Sequence, residues 1–249
     1  MIGNDPIGSE ITVSWNEEGS KLISLQVDDN GCRDDHVESI FVRKLPLVDA
    51  GEDETHCIDV DSFQLTNFFP ISDGVWTGSG VSSIGMFTPT TAGVGVHTIT
   101  YEYTDGNGCS NTATIDVVVN SLPIVNISGG PFCIDETPSN LTASPIGGTF
   151  SGPGITDVMI GTFDPSIAGA GIHTIIYEYT DGNSCTNTAS IDVEVFTLPI
   201  VTLSAPGDMC VDEGVQTSLS GGTPTGGVYS GAGVSDDGNG VTYSFDPST

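Results

Sequence analysis

The sequence predicts an all-β protein made of tandem β-sandwich modules, and three observations carry this prediction. A unit of sequence recurs with a fixed period, its apolar residues alternate with polar ones, and no stretch shows the i, i+3, i+4 apolar spacing of an amphipathic helix. Hydrophobic residues make up 37% of the chain, and Val, Ile, Thr and Tyr recur in the alternating stretches. We therefore expect a folded, β-rich chain rather than a disordered one.

The period is clearest in two closing segments, "HTITYEYTDGNGCSNTATIDVVV" at 97–119 and "HTIIYEYTDGNSCTNTASIDVEV" at 173–195. They lie 76 residues apart and are identical at 18 of 23 positions. Leu-Pro, a glycine-flanked aromatic segment and Phe-x-Pro recur in the same order before them. The repeat predicts four segments: 1–44, the C-terminal part of a divergent repeat; 45–120 and 121–196, complete repeats; and 197–249, the N-terminal part of a truncated repeat. Such a chain is expected to be a piece of a longer array.

Within repeat 45–120, the strands follow from the pattern. Ile99, Tyr101 and Tyr103 alternate with polar residues, and alternation resumes from Ala113 to Val119 after a Gly/Asn/Asp turn, which predicts an antiparallel hairpin with one buried face. Strands are expected near positions 47–50, 63–67, 74–77, 85–88, 97–104 and 110–119. Six or seven short strands in one repeat are typical of an immunoglobulin-like sandwich.

An aromatic residue recurs in each glycine-flanked segment, at Trp76, Phe150 and Tyr229. A sandwich of this kind keeps a core aromatic on its third strand. We therefore expect these three side chains to pack in cores rather than to stack on a ligand.

The charge is strongly one-sided. Asp and Glu total 33 against 4 Lys plus Arg, and all four cations lie in the first 44 residues. Such a surface repels phosphate backbones and anionic lipids, so we expect no nucleic-acid partner and no electrostatic membrane docking. No stretch approaches the roughly 20 apolar residues of a membrane helix, so direct membrane insertion is not expected either.

The octet "EYTDGNGC" at 102–109 returns as "EYTDGNSC" at 178–185 and contains acid, amide and glycine residues. An EF-hand loop needs about twelve residues and a terminal bidentate Glu, which the octet lacks. We interpret the octet as a hairpin turn whose Gly and Asn adopt positive φ angles. A weak Ca²⁺ site at Asp105, Asn107, Asp181 and Asn183 is the alternative.

No catalytic residue or other cofactor is predicted. His97 and His173 begin strands in a repeated context, and His36 and His56 are isolated. The sequence contains no zinc cluster, nucleophile elbow, P-loop or dinucleotide fingerprint. The pair Asp135-Glu136 recurs as Asp212-Glu213 in predicted loops, as expected for structural residues. The sequence thus predicts a protein that is not an enzyme.

Six cysteines at regular positions favour an oxidising, exported setting. Each complete repeat has one cysteine early, Cys57 or Cys133, and one just after the hairpin turn, Cys109 or Cys185. They could pair within a repeat, as Cys57–Cys109 and Cys133–Cys185. However, an extended segment from Pro46 would place Cys57 about 36 Å away, at the far end of its sandwich. Cys57 could instead pair with Cys185 of the next repeat, which would join neighbouring repeats into a stiff rod. The sequence leaves both alternatives open.

The chain resembles the PKD-like and Ig-like repeats of Bacteroidota surface proteins. The resemblance rests on "LPLVDAGEDETHC", the aromatic segment, the hairpin "HTITYEYTDGNGC" and the ending "TATIDVVV". Such repeats occur in large exported adhesins, including SprB-type gliding adhesins delivered by type IX secretion, and as spacers in secreted enzymes. The resemblance implies an extracellular or bacterial cell-surface location and tandem sandwiches.

These observations predict a non-enzymatic structural or adhesive stalk segment, whose partners are neighbouring repeats of the same chain. Two alternatives remain at this point: a module that binds surface glycans or proteins, and a spacer appended to a secreted hydrolase.

Overall fold

The computed structural model describes residues 12–249, and the described residues form two compact units. One unit contains the described residues up to Pro123 together with Thr180–Thr186, and the other contains Ile124–Tyr179 and Asn187–Thr249. The predicted boundaries of the four sequence segments stay predictions, and residues 1–11 of the first segment lie outside the described residues.

The first unit is built mainly from strands. Its elements are β1 (Gly19–Asp29), β2 (Cys32–Val42), β3 (Glu54–Cys57), β4 (Phe63–Gln64), β5 (Val75–Thr77), β6 (Met86–Phe87), α1 (Pro89–Ala92), β7 (Gly95–Thr104) and β8 (Ser110–Asn120). In the repeat 45–120, a four-stranded sheet has the order β3-β8-β7-β5, and β4 pairs with β6 in a second sheet. Strand β3 runs parallel to β8, whereas the other pairs of this sheet are antiparallel.

The remaining elements lie in the second repeat and in the segment 197–249. They are β9 (Asn126–Ser128), β10 (Phe132–Cys133), β11 (Ser139–Asn140), β12 (Thr142–Ser144), β13 (Thr149–Ser151), β14 (Ile155–Asp157), β15 (Thr162–Phe163), α2 (Pro165–Ala168), β16 (Gly171–Thr180), β17 (Thr186–Phe196), β18 (Thr202–Leu203), β19 (Gln216–Leu219), β20 (Gly222–Thr223), β21 (Val234–Asp236) and β22 (Tyr243–Phe245). The sheet β10-β17-β16-β13 repeats the order of the first repeat, and β11-β15-β14 takes the place of the β4-β6 pair.

The predicted alternation is confirmed by burial. In β7 and β8 the inward side chains of Ile99, Tyr101, Ile115, Val117 and Val119 are buried, while the residues between them remain at least partly exposed. Because side chains on a strand point to opposite faces in turn, the hairpin supplies one face of the core. Trp76, Phe87 and Leu65 complete this core, and the second repeat has an equivalent core around Phe163, Ile175 and Tyr177.

The core aromatics differ between the repeats. Trp76 and Phe150 are 3% and 5% exposed, as predicted, and each lies beside the tyrosine opposite it, Tyr101 or Tyr177. For Tyr229 the prediction of a core strand position is wrong: the residue is half-buried and lies outside any strand. The described third repeat has no counterpart of β7, the strand that pairs with the aromatic strand of the first repeat.

One further strand prediction is wrong, and the structure contains a strand and two helical turns that the sequence pattern does not predict. Residues 47–50 contain only an isolated bridge between Asp49 and Phe69 instead of a strand. Strand β3 was not predicted, because its sequence Glu-Thr-His-Cys does not alternate and its strand character depends on pairing with β8. The two helical turns were also missed, since four residues are too few to show a helical period. Asp164 caps α2 by accepting hydrogen bonds from the amides of Ser166 and Ile167.

The described part of the segment 1–44 contains the hairpin β1–β2, paired in register from Gly19–Val42 to Asp29–Cys32. Its apolar side chains are exposed: Leu22 is 70% and Phe41 62% accessible. No helix in residues 12–249 has the length and apolar character needed to cross a membrane.

Candidate functional site

The repeated octets form closely similar hairpin turns. In the first turn, Asp105 Oδ1 accepts the amide of Asn107 at 2.8 Å and that of Cys109 at 3.0 Å. In the second, Asp181 Oδ1 accepts the amides of Asn183 and Cys185, both at 2.9 Å. The amide of each Asp also donates to the carbonyl of the cysteine four residues later. Each aspartate therefore fixes the backbone that presents the cysteine.

The hydrogen bonds of the turn carboxylates bear on whether the octets bind Ca²⁺. In the first turn, Oδ2 of Asp105 also accepts the side-chain amide of Asn107 at 3.3 Å. In the described part of the chain, no group of three or more His, Cys, Asp or Glu side chains is arranged so that it could hold a metal ion. The hydrogen bonds support the turn interpretation, but the prediction that the Asn adopts a positive φ is wrong: Gly108 (φ 81°) and Ser184 (φ 64°) take that conformation. Ca²⁺ binding by Asp105, Asn107, Asp181 and Asn183 stays a prediction.

Hydrogen bonding also lowers the pKa of the Asp105 carboxyl below its usual value. The amides of Cys109 and then Asn107 contribute most, and the positive charge of Arg43 adds to the effect. Hydrogen bonds to the ionised form favour that form. The turn therefore keeps its aspartate ionised at a lower pH than an unperturbed aspartate.

The early cysteine of each repeat occupies a second kind of turn. The carbonyls of Cys57, Cys133 and Cys210 accept the amide three residues later, at 3.2, 3.0 and 3.1 Å. Cys57 lies opposite Asn120 at the end of β8, and Cys133 lies opposite Phe196 at the end of β17. The sequence thus places these cysteines in equivalent backbone positions.

A disulfide joins Cys57 to Cys185, which are 128 positions apart in sequence and have their Cα atoms 5.6 Å apart. Both residues belong to the first compact unit, because the turn Thr180–Thr186 is part of it. Cys185 is fully buried. The bond connects the early cysteine of one repeat to the hairpin-turn cysteine of the next, so the pairing between neighbouring repeats is confirmed.

The alternative pairings within a repeat, Cys57–Cys109 and Cys133–Cys185, are wrong. Cys57 pairs with the last residue of β8, whereas Cys109 immediately precedes the first. Ten residue steps along a strand at about 3.3 Å separate the two ends by roughly 33 Å. A disulfide needs Cα atoms within about 7 Å. The register of β3 on β8 therefore keeps the two cysteines of a repeat apart.

Cys32, Cys109, Cys133 and Cys210 are free thiols in the structure. Burial, followed by the negative charge of Glu136 and a hydrogen bond to it, raises the pKa of the Cys133 thiol. Glu136 also accepts the Cys133 amide at 3.0 Å. Since the thiolate is the reactive form, Cys133 should react more slowly than an unperturbed thiol of equal exposure.

The four histidines are not brought together into a site. His97 and His173 each contact a backbone carbonyl, that of Gly93 or Gly169, at 2.8 Å. His56 pairs with Glu54 at 2.7 Å on β3, and His36 pairs with Glu38 at 2.9 Å on β2. Each histidine thus has a local structural contact.

Comparison with known proteins gives only distant similarity. No protein-family model matches the sequence, and no curated protein matches it. Among solved structures, the chain is similar to mouse cadherin-23 EC22-24, with 11% identity over 92% of this chain and 89% of that chain and a TM-score of 0.29.

Two further solved structures show a similarly low level of identity and structural similarity. The protocadherin gammaB7 EC3-6 cis-dimer has 12% identity over 71% of this chain and 54% of that chain, with a TM-score of 0.25. The SGBP-B protein of a Bacteroides ovatus mixed-linkage glucan utilization locus, solved with a mixed-linkage heptasaccharide, has 14% identity over 72% and 48%, with a TM-score of 0.22. The chain spans about half the length of these two structures. The sandwich assignment therefore rests on the strand pairing and burial described above.

Proposed function

We propose that the chain is an extracellular, non-enzymatic structural or adhesive segment of a bacterial surface protein, and that its repeats carry mechanical load. The observation behind this proposal is the disulfide between Cys57 and Cys185. It places a covalent link in parallel with the main chain between two consecutive repeats. A load applied to the chain ends then bypasses the intervening sequence.

The bond also stabilises the fold against unfolding. In the chain-entropy model, closing a loop of 128 residues removes unfolded-state entropy worth about 5 kcal/mol. A single repeat buries only about 60% of the surface that its unfolded chain exposes. The stabilisation from the disulfide is therefore large relative to the stability of one repeat. Persistent disulfides form in oxidising compartments, which supports the extracellular location.

The charge distribution supports the same function. The excess of 33 acidic over 4 basic side chains gives every copy of the chain a strongly negative surface. Like charges oppose lateral association of copies, although salt screens this repulsion beyond about 8 Å. Surface delivery by type IX secretion and a part in gliding, which the family resemblance implies, belong to this proposal as well.

The distribution of polar groups supports a non-enzymatic role. Among the described residues no polar or charged residue is fully buried, and the histidines and turn aspartates are occupied by local contacts. Catalytic sites usually place ionisable groups where burial and neighbouring charges shift their pKa by several units. The imidazole groups of His97 and His173 and the carboxylates of Asp105 and Asp181 are instead held by contacts within their own repeat.

Binding of surface glycans or proteins is the second candidate, and a spacer role in a secreted hydrolase is the third. Ligand sites are commonly lined by aromatic side chains that the ligand can reach. Trp76 and Phe150, the recurrent aromatics of the complete repeats, are buried instead. These two side chains therefore cannot line a glycan site, but Phe41 and Phe69 are exposed. The mechanical role thus ranks first on the disulfide between the two complete repeats.

The location can be tested on cells that carry the gene. Antibodies against residues 45–196 should label intact cells, and brief protease treatment of those cells should remove the label. Staining that appears only after lysis would contradict the proposal.

The disulfide can be tested by peptide mapping under non-reducing conditions, which should recover Cys57 linked to Cys185. A chain isolated with both thiols free would contradict the mechanical role, because that role depends on this bond.

A further inference from the structure

We propose that Cys133 is a second covalent attachment site, which accepts a cysteine from the hairpin turn of another repeat as Cys57 accepts Cys185. This inference rests on the proposed function, and it names the bonding partner of one free thiol of the chain. The partner is a cysteine at the end of an Asp-x-Asn-x-Cys turn, the motif shared by the turns of Cys32, Cys109 and Cys185.

The first argument is the backbone around the thiol. Phe132–Cys133 pairs in parallel with Val195–Phe196, as His56–Cys57 pairs with Val119–Asn120. The following residue continues the pattern in both repeats: Ile58 donates to the Asn120 carbonyl at 2.9 Å, and Ile134 donates to the Phe196 carbonyl at 2.9 Å. Cys133 therefore occupies the backbone position from which Cys57 forms its bond.

The second argument is the bond itself. Cys57 is joined to Cys185 of the following repeat and not to Cys109 of its own. The strand register also separates Cys133 from the hairpin turn of its own repeat. Strand β17 has the same length as β8, and Cys133 pairs with the last residue of β17. A thiol in this position needs a turn from a different repeat.

The third argument is that the segment 197–249 offers a surface on which a closing hairpin can fold. A shallow groove there is lined by apolar residues, including Met209, Val234, Tyr243 and Phe245. In the second repeat, the counterparts of Met209 and Phe245 are Phe132 and Phe163, which pack in the core with Val193 and Val195 of β17. A hairpin of the same sequence would place equivalent valines in the groove.

The chemistry is thiol–disulfide exchange with an oxidant such as glutathione disulfide. The Cys133 thiolate attacks one glutathione sulfur, forms a mixed disulfide and releases a glutathione thiolate. The partner thiolate then attacks Cys133 Sγ and displaces the second glutathione thiolate. The two cysteines lose two protons and two electrons, and the glutathione disulfide takes up both as two glutathione thiols.

The test extends the full chain with its own sequence. Because "SFDPST" at 244–249 corresponds to "TFDPSI" at 162–167, residues 168–196 are appended after Thr249, which supplies a copy of the turn that contains Cys185. After oxidation in a glutathione buffer, peptide mapping should find Cys57–Cys185 and a second bond from Cys133 to the appended cysteine. Alkylation of Cys133 should fall to background.

The matched control carries serine in place of the appended cysteine, and its Cys133 should remain fully alkylatable. A bond from the appended cysteine to Cys210, or a Cys133 that stays reactive beside a folded extension, would overturn the inference. Absence of Cys57–Cys185 from the parent chain would instead overturn the proposed function, so the two failures are distinguishable.

A second variant covers an extension that does not fold. In Cys57→Ser, without any extension, Cys185 loses its partner while Cys133 is free in the same chain. We expect both thiols to be alkylated when the oxidised protein is denatured, because Cys133 cannot reach the turn of its own repeat and no disulfide protects either residue. Formation of Cys133–Cys185 in this variant would refute the inference.

Discussion

Stretching single molecules from their ends provides a direct test of the mechanical role of the Cys57–Cys185 bond. The perturbation is its reduction, or the substitution Cys57→Ser. With the bond intact, a pulling force reaches Cys185 from Cys57 through the two sulfur atoms, and the 128 residue steps between them carry no load. With the bond broken, the same steps extend under force.

The difference in length follows from the chain geometry. An extended chain spans at most about 3.6 Å per residue, so the full chain of 249 residues reaches about 900 Å. The 128 steps within the disulfide loop account for about 460 Å of this length. Oxidised molecules should therefore reach a final contour length of about 430 Å, close to half that of reduced molecules.

Force spectroscopy of the chain held between terminal tags measures this length directly. Cys57→Ser in oxidising buffer should give the long contour length of the reduced protein. Cys109→Ser is the matched control, because Cys109 is a free thiol, and it should retain the short length. A long contour length for the oxidised parent protein would refute the reasoning, since it would mean that the load does not pass through the bond.

Three further predictions concern the repeats and their turns. In Gly74→Ala the new Cβ would lie 2.1 Å from the ring of buried Tyr101. We therefore expect thermal melting to show that the free energy of unfolding falls by about 1–3 kcal/mol. Gly106→Ala is the control, because its Cβ would meet open space, and it should change stability little. Asp105→Asn tests the turn carboxylate. The pKa of Asp105 in the folded protein lies below the usual 3.8, so the ionised carboxylate stabilises the fold above pH 3.8, and this stabilisation is lost as the pH falls through the folded pKa. The stability difference between parent and Asp105→Asn should therefore be constant near neutral pH and shrink in acid; a difference that persists in strong acid would contradict this assignment. The weak calcium prediction requires a higher melting temperature in millimolar Ca²⁺ than in chelator, and equal melting temperatures would dismiss it.

Patterns of adjacent residues were sufficient to predict the hairpins. Alternation in "HTITYEYT" indicated that Ile99 and Tyr101 face inward, because side-chain direction along a strand follows directly from residue order. The glycines and amides of "DGNG" indicated a turn for a similar reason, since they tolerate backbone angles that other residues avoid. The repetition of both patterns predicted several sandwiches rather than one.

The tertiary structure decided which distant parts of the chain meet. Strand β3 has no alternation of its own and exists through its parallel pairing with β8, and that register separates Cys57 from Cys109. Sequence reasoning could offer two partners for Cys57, because both are cysteines in the same kind of turn. Choosing between them requires the position of each turn in space, and that position depends on pairing between strands far apart in sequence. The residues thus determined the local strands and turns, whereas only the assembled sheets determined the covalent link between repeats.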